Sequence, residues 1–580
     1  MLIAIENYIG MKNIINKNHK IMFSTKQKSL FSTTKPSSEK STFVQEALKN
    51  SARILSGNGS EKFSSTGDVF VDQFGVVGTY KTPRNFSDIS RDMELAWASD
   101  KETAIRFALY LRMVSRQTMY LDGTMTQVSQ KGAEMRHEGI MRMLWLHFKD
   151  ENAFWKNIGL FISVGSWKDI FTMLSYDLIY HSWEGRKLNW DKFGELILSG
   201  LENSNTSDLV KKYLPQIKAS SVCKTVESQA DTIIAKWISS LIFGNKGANP
   251  GATYKQYRKL KTSGTAHEWQ KIISQRQFDR IDFSKIHGRA LSKLVQSKFL
   301  FNQGLSDAYS KWITAPETKE VKYTGFVHEL FEPLNQMNSF DYKTISNGQE
   351  ETINKQFETL VKKGGEAEVS KLIVVRDTSA SMTSQATGTK MSAYNIGKAL
   401  ALYFSEFLDG PFANAWIEFS DGATMHTWKG NTPVEKWRND KSEAYGSTNF
   451  QSVIKLFVTL KNRGVAEEDF PTGILCVSDG EFNPSEAGKT NVEKAKSTLL
   501  KAGFSKEYVD NFVIVLWNIS TSYYGRGTGT KFETFGDVPG VFYFSGYSST
   551  VVSLLSSKIK TARELFEAAM MQEVLSRVEV

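Results

Sequence analysis

Only two cysteines occur in 580 residues, Cys223 and Cys476, and they lie far apart. That excludes a disulfide framework and reads as an intracellular, cytoplasmic chain. Long apolar runs are missing too. The longest, Phe512 to Ile519, is strand-sized and falls well short of the roughly 20 residues that span a bilayer, so no membrane association is expected. The opening MLIAIENYIG is too short and too polar for a signal-peptide core. The Lys-, Ser- and Asn-rich residues 1–40 lack the arginines of a transit peptide, and we expect them to form a disordered basic tail. Met11 and Met22 offer alternative starts, so the first 21 residues need not be translated. Bulk disorder is excluded, because 41% of the residues are hydrophobic and 13 Trp and 37 Phe supply sizeable cores.

Charge is unevenly spread. From Val361 onward there are 24 Lys and Arg against 25 Asp and Glu, which leaves 48 and 37 for residues 1–360. Lys211–Leu300 alone holds 17 basic and 5 acidic residues. A basic half suits a polyanion, most often nucleic acid, although a Lys-rich solvated helix surface would look the same.

Residues 41–85 carry short β-prone runs, Asp68–Gly78 among them. From Asn85 to about Asn335 apolar residues recur three and four apart. The stretches are Ile89–Ala98, Lys101–Val114, Glu134–Phe148, Ala153–Val164, Trp167–Tyr180, Thr225–Leu241, Tyr254–Leu260 and Ser284–Phe301. No alternating strand pattern interrupts them. The spacing predicts an all-α region over 41–335, built as a helical solenoid or a large bundle. Residues 336–370 read as a linker with one helix, Ile353–Lys363, ended by Gly364-Gly365.

From Lys371 to the C-terminus strands alternate with helices. Strands are expected at Lys371–Arg376, Ala415–Phe419, Gly473–Val477, Phe512–Ile519 and Gly540–Phe544. Helices are expected at Met391–Leu408, Phe450–Leu460, Val492–Ala502, Ser548–Ile559 and Ala562–Val574. This grammar predicts a doubly wound, Rossmann-like parallel sheet with helices on both faces, whose ligands sit at the carboxyl ends of the strands.

Three segments fall there. The first strand ends in Asp377-Thr378-Ser379-Ala380-Ser381. The loop before Phe450 reads Tyr445-Gly446-Ser447-Thr448-Asn449, and a later strand ends in Ser478-Asp479-Gly480-Glu481. Carboxylates and small hydroxyls are hard oxygen donors that suit Mg²⁺, and also Mn²⁺ or Ca²⁺. Asp377 could instead cap a helix, with Ser379 and Ser381 as turn residues. A phosphotransferase of the haloacid-dehalogenase kind needs a second Asp two positions on, where this chain has Ser379. None of the eight His residues sits in a recognisable motif, so no nucleophile–base pair is visible and an enzyme is not expected.

The three-part pattern resembles the metal-ion-dependent adhesion site of von Willebrand factor A-type (vWA) domains. By that resemblance one divalent cation is held directly by Ser379, Ser381 and Thr448, and directly or through water by Asp377 and Asp479. A coordination position is left for an acidic residue of a protein partner.

The basic helical half in front of such a domain resembles the Ro autoantigen group, and most closely a TROVE-like branch found in phages, plants and fungi. The matching stretches are Ser64–Phe74, Lys131–Arg136, Val164–Phe171, Tyr254–Leu260 and Arg280–Leu291. The family's compact Gly-Lys-Gly-Glu-Arg-like run is loosened here to KGAEMR, and a segment is inserted after Arg116. The resemblance implies a HEAT-like helical-repeat ring or solenoid and a cytoplasmic, monomeric ribonucleoprotein scaffold. Its RNA would be single-stranded ends or small structured RNA. The candidate RNA-binding residues are Arg112, Arg116, Lys131, Arg136, Lys255, Arg258, Lys259, Lys261, Arg280, Lys285, Arg289 and Lys293, of which Arg258 and Arg289 lie within matching stretches. Trp167, Trp237 and Trp269 read as packing residues, and His287 as a structural histidine. The competing reading is a vWA adaptor without RNA, for example one serving an AAA+ motor.

Overall fold

A computed structural model describes residues 53–580. Excepted are 56–60, 64–66, 78–83, 116–118, 122–123, 127–129, 181–185, 220, 245–249, 264–267, 287, 296–303, 324, 336–346, 365–371, 387–388, 481, 486–488, 520–539, 548–558 and 560. The expected tail at 1–40, His287, and the helix expected at Ser548–Ile559 except for Ile559 lie outside the described residues. Residues 52–580 form one compact unit.

Its first part is helical. A small antiparallel hairpin, β1 (Arg53–Leu55) with β2 (Glu61–Phe63), leads into α1 (Val69–Val76), α2 (Phe86–Ser99) and α3 (Lys101–Arg112). A second hairpin pairs β3 (Met119–Leu121) with β4 (Thr124–Thr126). Then follow α4 (Arg136–Lys149), α5 (Glu151–Val164), α6 (Trp167–Ile179), α7 (Trp190–Glu202), α8 (Ser207–Tyr213), α9 (Val226–Phe243), α10 (Pro250–Ser263) and α11 (Glu268–Ser274). The region closes with α12 (Gly288–Val295), α13 (Ser306–Thr314), α14 (Val327–Asn335) and α15 (Asn347–Gly364). Side-chain caps explain many of the starts. Asn85, Asp100 and Asp150 accept from the backbone of Asp88, Thr103 and Ala153, and Thr225 and Ser228 form a capping box on α9.

Several sequence expectations change. The β-prone stretch Asp68–Gly78 is mostly helix α1, because Asp68 caps it by accepting from Phe70 and Val71. Its Phe70, Val71 and Phe74 are then buried on one side. The hairpin β3–β4 interrupts the helical run between α3 and α4. Helices α7, α8, α11, α13 and α14 arise where no apolar periodicity was singled out. The linker helix α15 is no free connector. Phe357 meets Phe331 of α14 at 5.7 Å.

The second part is α/β. Its strands are β5 (Leu372–Asp377), β6 (Ala415–Phe419), β7 (Ala423–Thr427), β8 (Gly473–Ser478), β9 (Val513–Asn518) and β10 (Val541–Ser545). Its helices are α16 (Ala393–Ser405), α17 (Pro433–Asn439), α18 (Gln451–Asn462), α19 (Asn491–Lys501), α20 (Lys506–Asn511) and α21 (Ala562–Met570). The six strands run in the order β10-β9-β8-β5-β6-β7. Strands β5 and β8 are buried throughout, which is why they read as continuous apolar runs. The sheet is not wholly parallel, since β7 pairs antiparallel with β6. The turn between them is tight, with Ser420 N–H donating to Gly422 O at 2.9 Å, so no crossover is needed. Strand β7 lies at the sheet edge and is largely exposed, so it lacks the apolar signature that marks the others.

The two parts interlock. Phe566 of α21 lies 5.5 Å from Phe70, 5.6 Å from Phe74 and 5.6 Å from Phe107, ring centre to ring centre. The Gln572 side chain exchanges hydrogen bonds with the Lys131 backbone at 2.7 and 2.8 Å, and Glu579 N–H donates to Asn157 at 3.1 Å. Replacing Phe566 with Ala empties a site shared by three elements and should cost about 3–5 kcal/mol. In chemical denaturation the helical and α/β regions should lose stability together; a change confined to one of them would contradict the interlock.

Candidate metal site and basic surface

The order β7-β6-β5-β8-β9-β10 reverses direction between β5 and β8. In open α/β sheets the crevice at such a reversal, beyond the carboxyl ends of the strands, is where ligands bind. Asp377 ends β5, and Asp479 follows the last residue of β8. The register pairs Arg376 with Val477, which sets the two carboxylates side by side at this point.

Both carboxylates are buried, Asp377 at 0% and Asp479 at 1% exposure. Asp377 Oδ1 accepts from Ser379 N–H at 2.8 Å, and its Oδ2 accepts from the Ser478 hydroxyl. The Ser379 and Ser381 hydroxyls are 3.1 Å apart. Ser379 opens the short 3₁₀ turn Ala380–Thr383 without a side-chain cap bond, so Asp377 ends a strand and caps no α-helix. Thr448 is also buried. Its loop is stitched to the first one, with Tyr445 N–H donating to Thr378 O at 2.9 Å and Ala380 N–H to Gly446 O at 3.2 Å. It is stitched to the third through Asn483 N–H, which donates to Thr448 O at 2.8 Å. The three oxygen-bearing loops therefore meet at one edge, although Glu481 lies outside the described residues.

Electrostatics define what this edge can hold. Burial raises the Asp377 carboxyl to about 7, and the neighbouring Asp479 charge adds to the rise. Hydrogen bonds from Ser478 and Ser379 oppose it. Among the described residues the charge that acts on it is that of Asp479. Two adjacent buried carboxylates favour a proton or a cation between them. Among the described residues no group of three or more His, Cys, Asp and Glu could hold a metal. A cation here would thus be held by two carboxylates and hydroxyls, the hard donor set that fits Mg²⁺ or Ca²⁺ rather than a soft metal.

The sequence reading misses two supports. Asp421 accepts from Ser447 N–H at 2.9 Å and from its hydroxyl at 2.6 Å, and these bonds hold its carboxyl below the ordinary range. Gly446 has φ +77°, and a Cβ there would come within 2.6 Å of Asp421 Oδ2. Asn483 donates to Ser447 Oγ at 2.8 Å. Asp421 and Asn483 thereby set the loop that carries Thr448. The signal for Asp421 is an Asp-Gly pair one residue beyond a strand.

The basic candidates separate by environment. Arg112 is 2% exposed and pairs with Asp169 at 2.7 Å, so it ties α3 to α6 inside the protein and is no surface contact. Arg136 pairs with the same Asp169 at 3.0 Å but remains partly exposed. The stretch Val164–Phe171 builds this hub, because Ser166 and Asp169 form the capping box of α6. Gly165 leaves room for it, since a Cβ there would approach Asp169 Oδ2 to 2.5 Å. The Lys131 backbone is bonded to Gln572. Lys261 is half-buried, and its ammonium donates to Leu214 O at the end of α8. Lys255, Arg258 and Lys259 are exposed on successive turns of α10, while Tyr257 faces inward and donates to Pro215 O at 2.9 Å. Arg280, Lys285 and Lys293 are exposed; Lys285 pairs with Asp282 at 3.2 Å. Arg116 and the side chain of Arg289 lie outside the described residues. The three tryptophans pack as expected. Trp167 is buried, Trp237 meets Trp190 edge-on at 4.8 Å, and Trp269 lies against the cluster around Phe283 and Tyr309.

The Asp377 shift has a consequence for stability. In a chelating buffer the folded chain holds this proton more tightly than the unfolded chain, whose carboxyl has the ordinary value of 3.8. Its contribution to stability must fall as pH rises from about 4 to about 7. Asp377→Asn should therefore melt higher than wild type at pH 7 in chelator, and Mg²⁺ should raise only the wild type. Calorimetry at pH 4, 5.5 and 7 checks this, and an unchanged pH slope in the variant would count against it.

Residues 371–576 match the family model described as "Domain of unknown function (DUF7788)". The span begins just before β5 and runs through α21. A protein of Acanthamoeba polyphaga mimivirus, "Uncharacterized protein L728", is 22% identical over 501 residues, which cover 80% of this chain and 78% of the viral protein. That length exceeds either structural part alone, so the similarity runs through both the helical and the α/β regions.

Proposed function

We propose that the protein is a non-enzymatic RNA-binding scaffold, in which a TROVE-like helical module is joined to a vWA domain that holds one divalent cation. The observation that carries the reading is the meeting of Asp377, Asp479 and the Ser379, Ser381 and Thr448 loops at the sheet's reversal point. Buried like charges there call for a cation. Bound at that edge, the cation would offer an open coordination position to an acidic side chain of a protein partner. Ser379, Ser381 and Thr448 would hold it directly, and Asp377 and Asp479 directly or through water.

RNA binding draws its support from the exposed face of α10. Lys255, Arg258 and Lys259 are exposed on one side of a helix anchored by Tyr257, and none of them pairs with a carboxylate among the described residues. Arg280, Lys285 and Lys293 are exposed as well, Lys285 beside Asp282. Such cations neutralise phosphates without reading sequence. The second reading is a metal-dependent protein adaptor without RNA. It is favoured by the internal partners of Arg112, Arg136 and Lys261, which remove part of the expected basic surface.

Fluorescence anisotropy with a single-stranded RNA and a matched DNA, at two salt concentrations, separates the readings. The scaffold reading expects preference for RNA, a steep loss with salt, and at least about tenfold weaker binding in the triple variant K255E/R258E/K259E. Asp377→Ala should abolish Mg²⁺ binding in calorimetry and leave RNA affinity unchanged. Absence of RNA binding at low salt, with Mg²⁺ binding intact, would leave only the adaptor reading.

A further inference from the structure

A cavity of about 720 Å³ borders the end of the 3₁₀ turn that follows Ser379. Thr383, the last residue of that 3₁₀ turn, forms part of its wall. Ser392, Asn395 and Lys398 line it from the first turns of α16, and Trp437 and Lys441 line it from α17 and the loop after it. None of these residues belongs to the candidate metal site.

The charge around the cavity does not balance. Asp440, whose side chain is 3% exposed, pairs with Arg376 at 2.7 Å and with Lys398 at 3.3 Å. Arg376 is wholly buried. Its Nη1 donates to Asp440 and, at 3.0 Å, to Ser442 Oγ. Its plane lies 4.2 Å from the Tyr394 ring centre and 5.2 Å from that of Trp416. Its Nε and Nη2 have no hydrogen-bond partner among the described residues. Lys441 acts on Lys398 as a further like charge. Arg438, also at the cavity, is balanced by Glu350 at 2.6 Å. Two buried cations, Arg376 and Lys398, thus share the single carboxylate of Asp440, and the exposed Lys441, whose ammonium donates to Arg438 O at 3.2 Å, adds positive charge nearby. Burial brings the Lys398 ammonium down to about 8; Asp440 opposes that, and Arg376 and Lys441 reinforce it. Buried charge of one sign in excess is costly unless a counterion completes it.

We propose that this cavity is an anion site that takes the phosphate group of a small phosphate monoester. The donors around it are the Ser392 hydroxyl, the Asn395 amide and the Lys398 and Lys441 ammonium groups, carried by α16 and by the loop after α17, while the Thr383 hydroxyl already donates to Ala380 O at 2.8 Å. Several separate donors from two elements suit a tetrahedral group with several oxygens better than a planar carboxylate. The amino end of α16, a helix of 13 residues, opens at the same wall and adds its positive dipole end. The remainder of the ligand would be polar rather than an aromatic base. Trp437 is stacked on Phe331 at 4.5 Å and has the Lys398 ammonium 4.6 Å from its ring centre, so its faces are already taken.

The site stands apart from the cation proposed at Asp377, and its test is run with that cation removed. The full chain in EDTA is titrated by calorimetry with glycerol 3-phosphate, inorganic phosphate and acetate. One saturable site for the two phosphates, with acetate at least about tenfold weaker, is the expected result. Lys398→Met keeps the volume and leaves Arg376 paired with Asp440. Lys441→Ala changes an exposed side chain, so it reports even if the first variant does not fold. Each should weaken phosphate binding at least about tenfold, roughly 1.4 kcal/mol. Absence of saturable phosphate binding, acetate binding as tightly as phosphate, or binding indifferent to Lys441→Ala would each overturn the proposal. None of these results bears on Mg²⁺ binding at Asp377, which is measured separately.

Discussion

The packing of Phe566 among Phe70, Phe74 and Phe107 ties α21 near the C-terminus to α1 and α3. A second seam joins the parts elsewhere, where Phe331 of α14 stacks on Trp437 of α17 at 4.5 Å and Val434 N–H donates to Asn354 of α15 at 3.1 Å. With α21 seated against α1 and α3, Gln572 reaches the Lys131 backbone and Asn157 receives Glu579. Closing a loop of nearly the whole chain costs entropy, but that cost grows only slowly with length. A buried aromatic cluster is large enough to offset it. The α/β region therefore does not end where its sheet ends, because its terminal helix completes the core of the helical region.

Two buried carboxylates show how the same chemistry is put to opposite uses. Asp169 is fully buried, yet Arg112 and Arg136 face it and its own helix start binds it. That ion cluster is internally complete, and its role is to hold α3, α4 and α6 in register. Asp377 is equally buried, but its strongest electrostatic neighbour is another carboxylate. Incompleteness of this kind is costly for folding and is expected where a ligand supplies what the chain omits. The excess of cations around Asp440 is the same situation with the sign reversed. The two unbalanced clusters are fed by neighbouring residues of one strand, Arg376 and Asp377, whose side chains leave β5 in different directions.

Much of the architecture was legible from local signals. Helices α2 to α6 and α9 follow from apolar spacing and from caps such as Asp100 and Asp150, and β5, β8 and β9 from continuous apolar runs. The oxygen-bearing residues at the ends of β5 and β8 were legible for the same reason, since strand ends can be read locally. Strand β7 was not, because an exposed edge strand carries no apolar pattern. Helix α1 was not, because Val and Phe favour strands until Asp68 caps the turn and the Phe566 contact rewards the helical face. The supporting role of Asp421 was hidden because its partner, Ser447, lies on a distant loop.

The sequence by itself determined where regular elements form, which ends carry oxygen donors, and that the helical half is basic. These depend on periodicity, capping and composition, all short-range properties of the chain. Only the tertiary structure decided which charges are available. It buried Arg112 against Asp169, docked Lys261 on α8, and left Lys255, Arg258 and Lys259 in solvent. It also set Asp377 beside Asp479, because the order of the strands, and no local signal, makes β5 and β8 neighbours. Burial and pairing are properties of residues far apart in sequence, and they exist only once the sheet and the helices have packed.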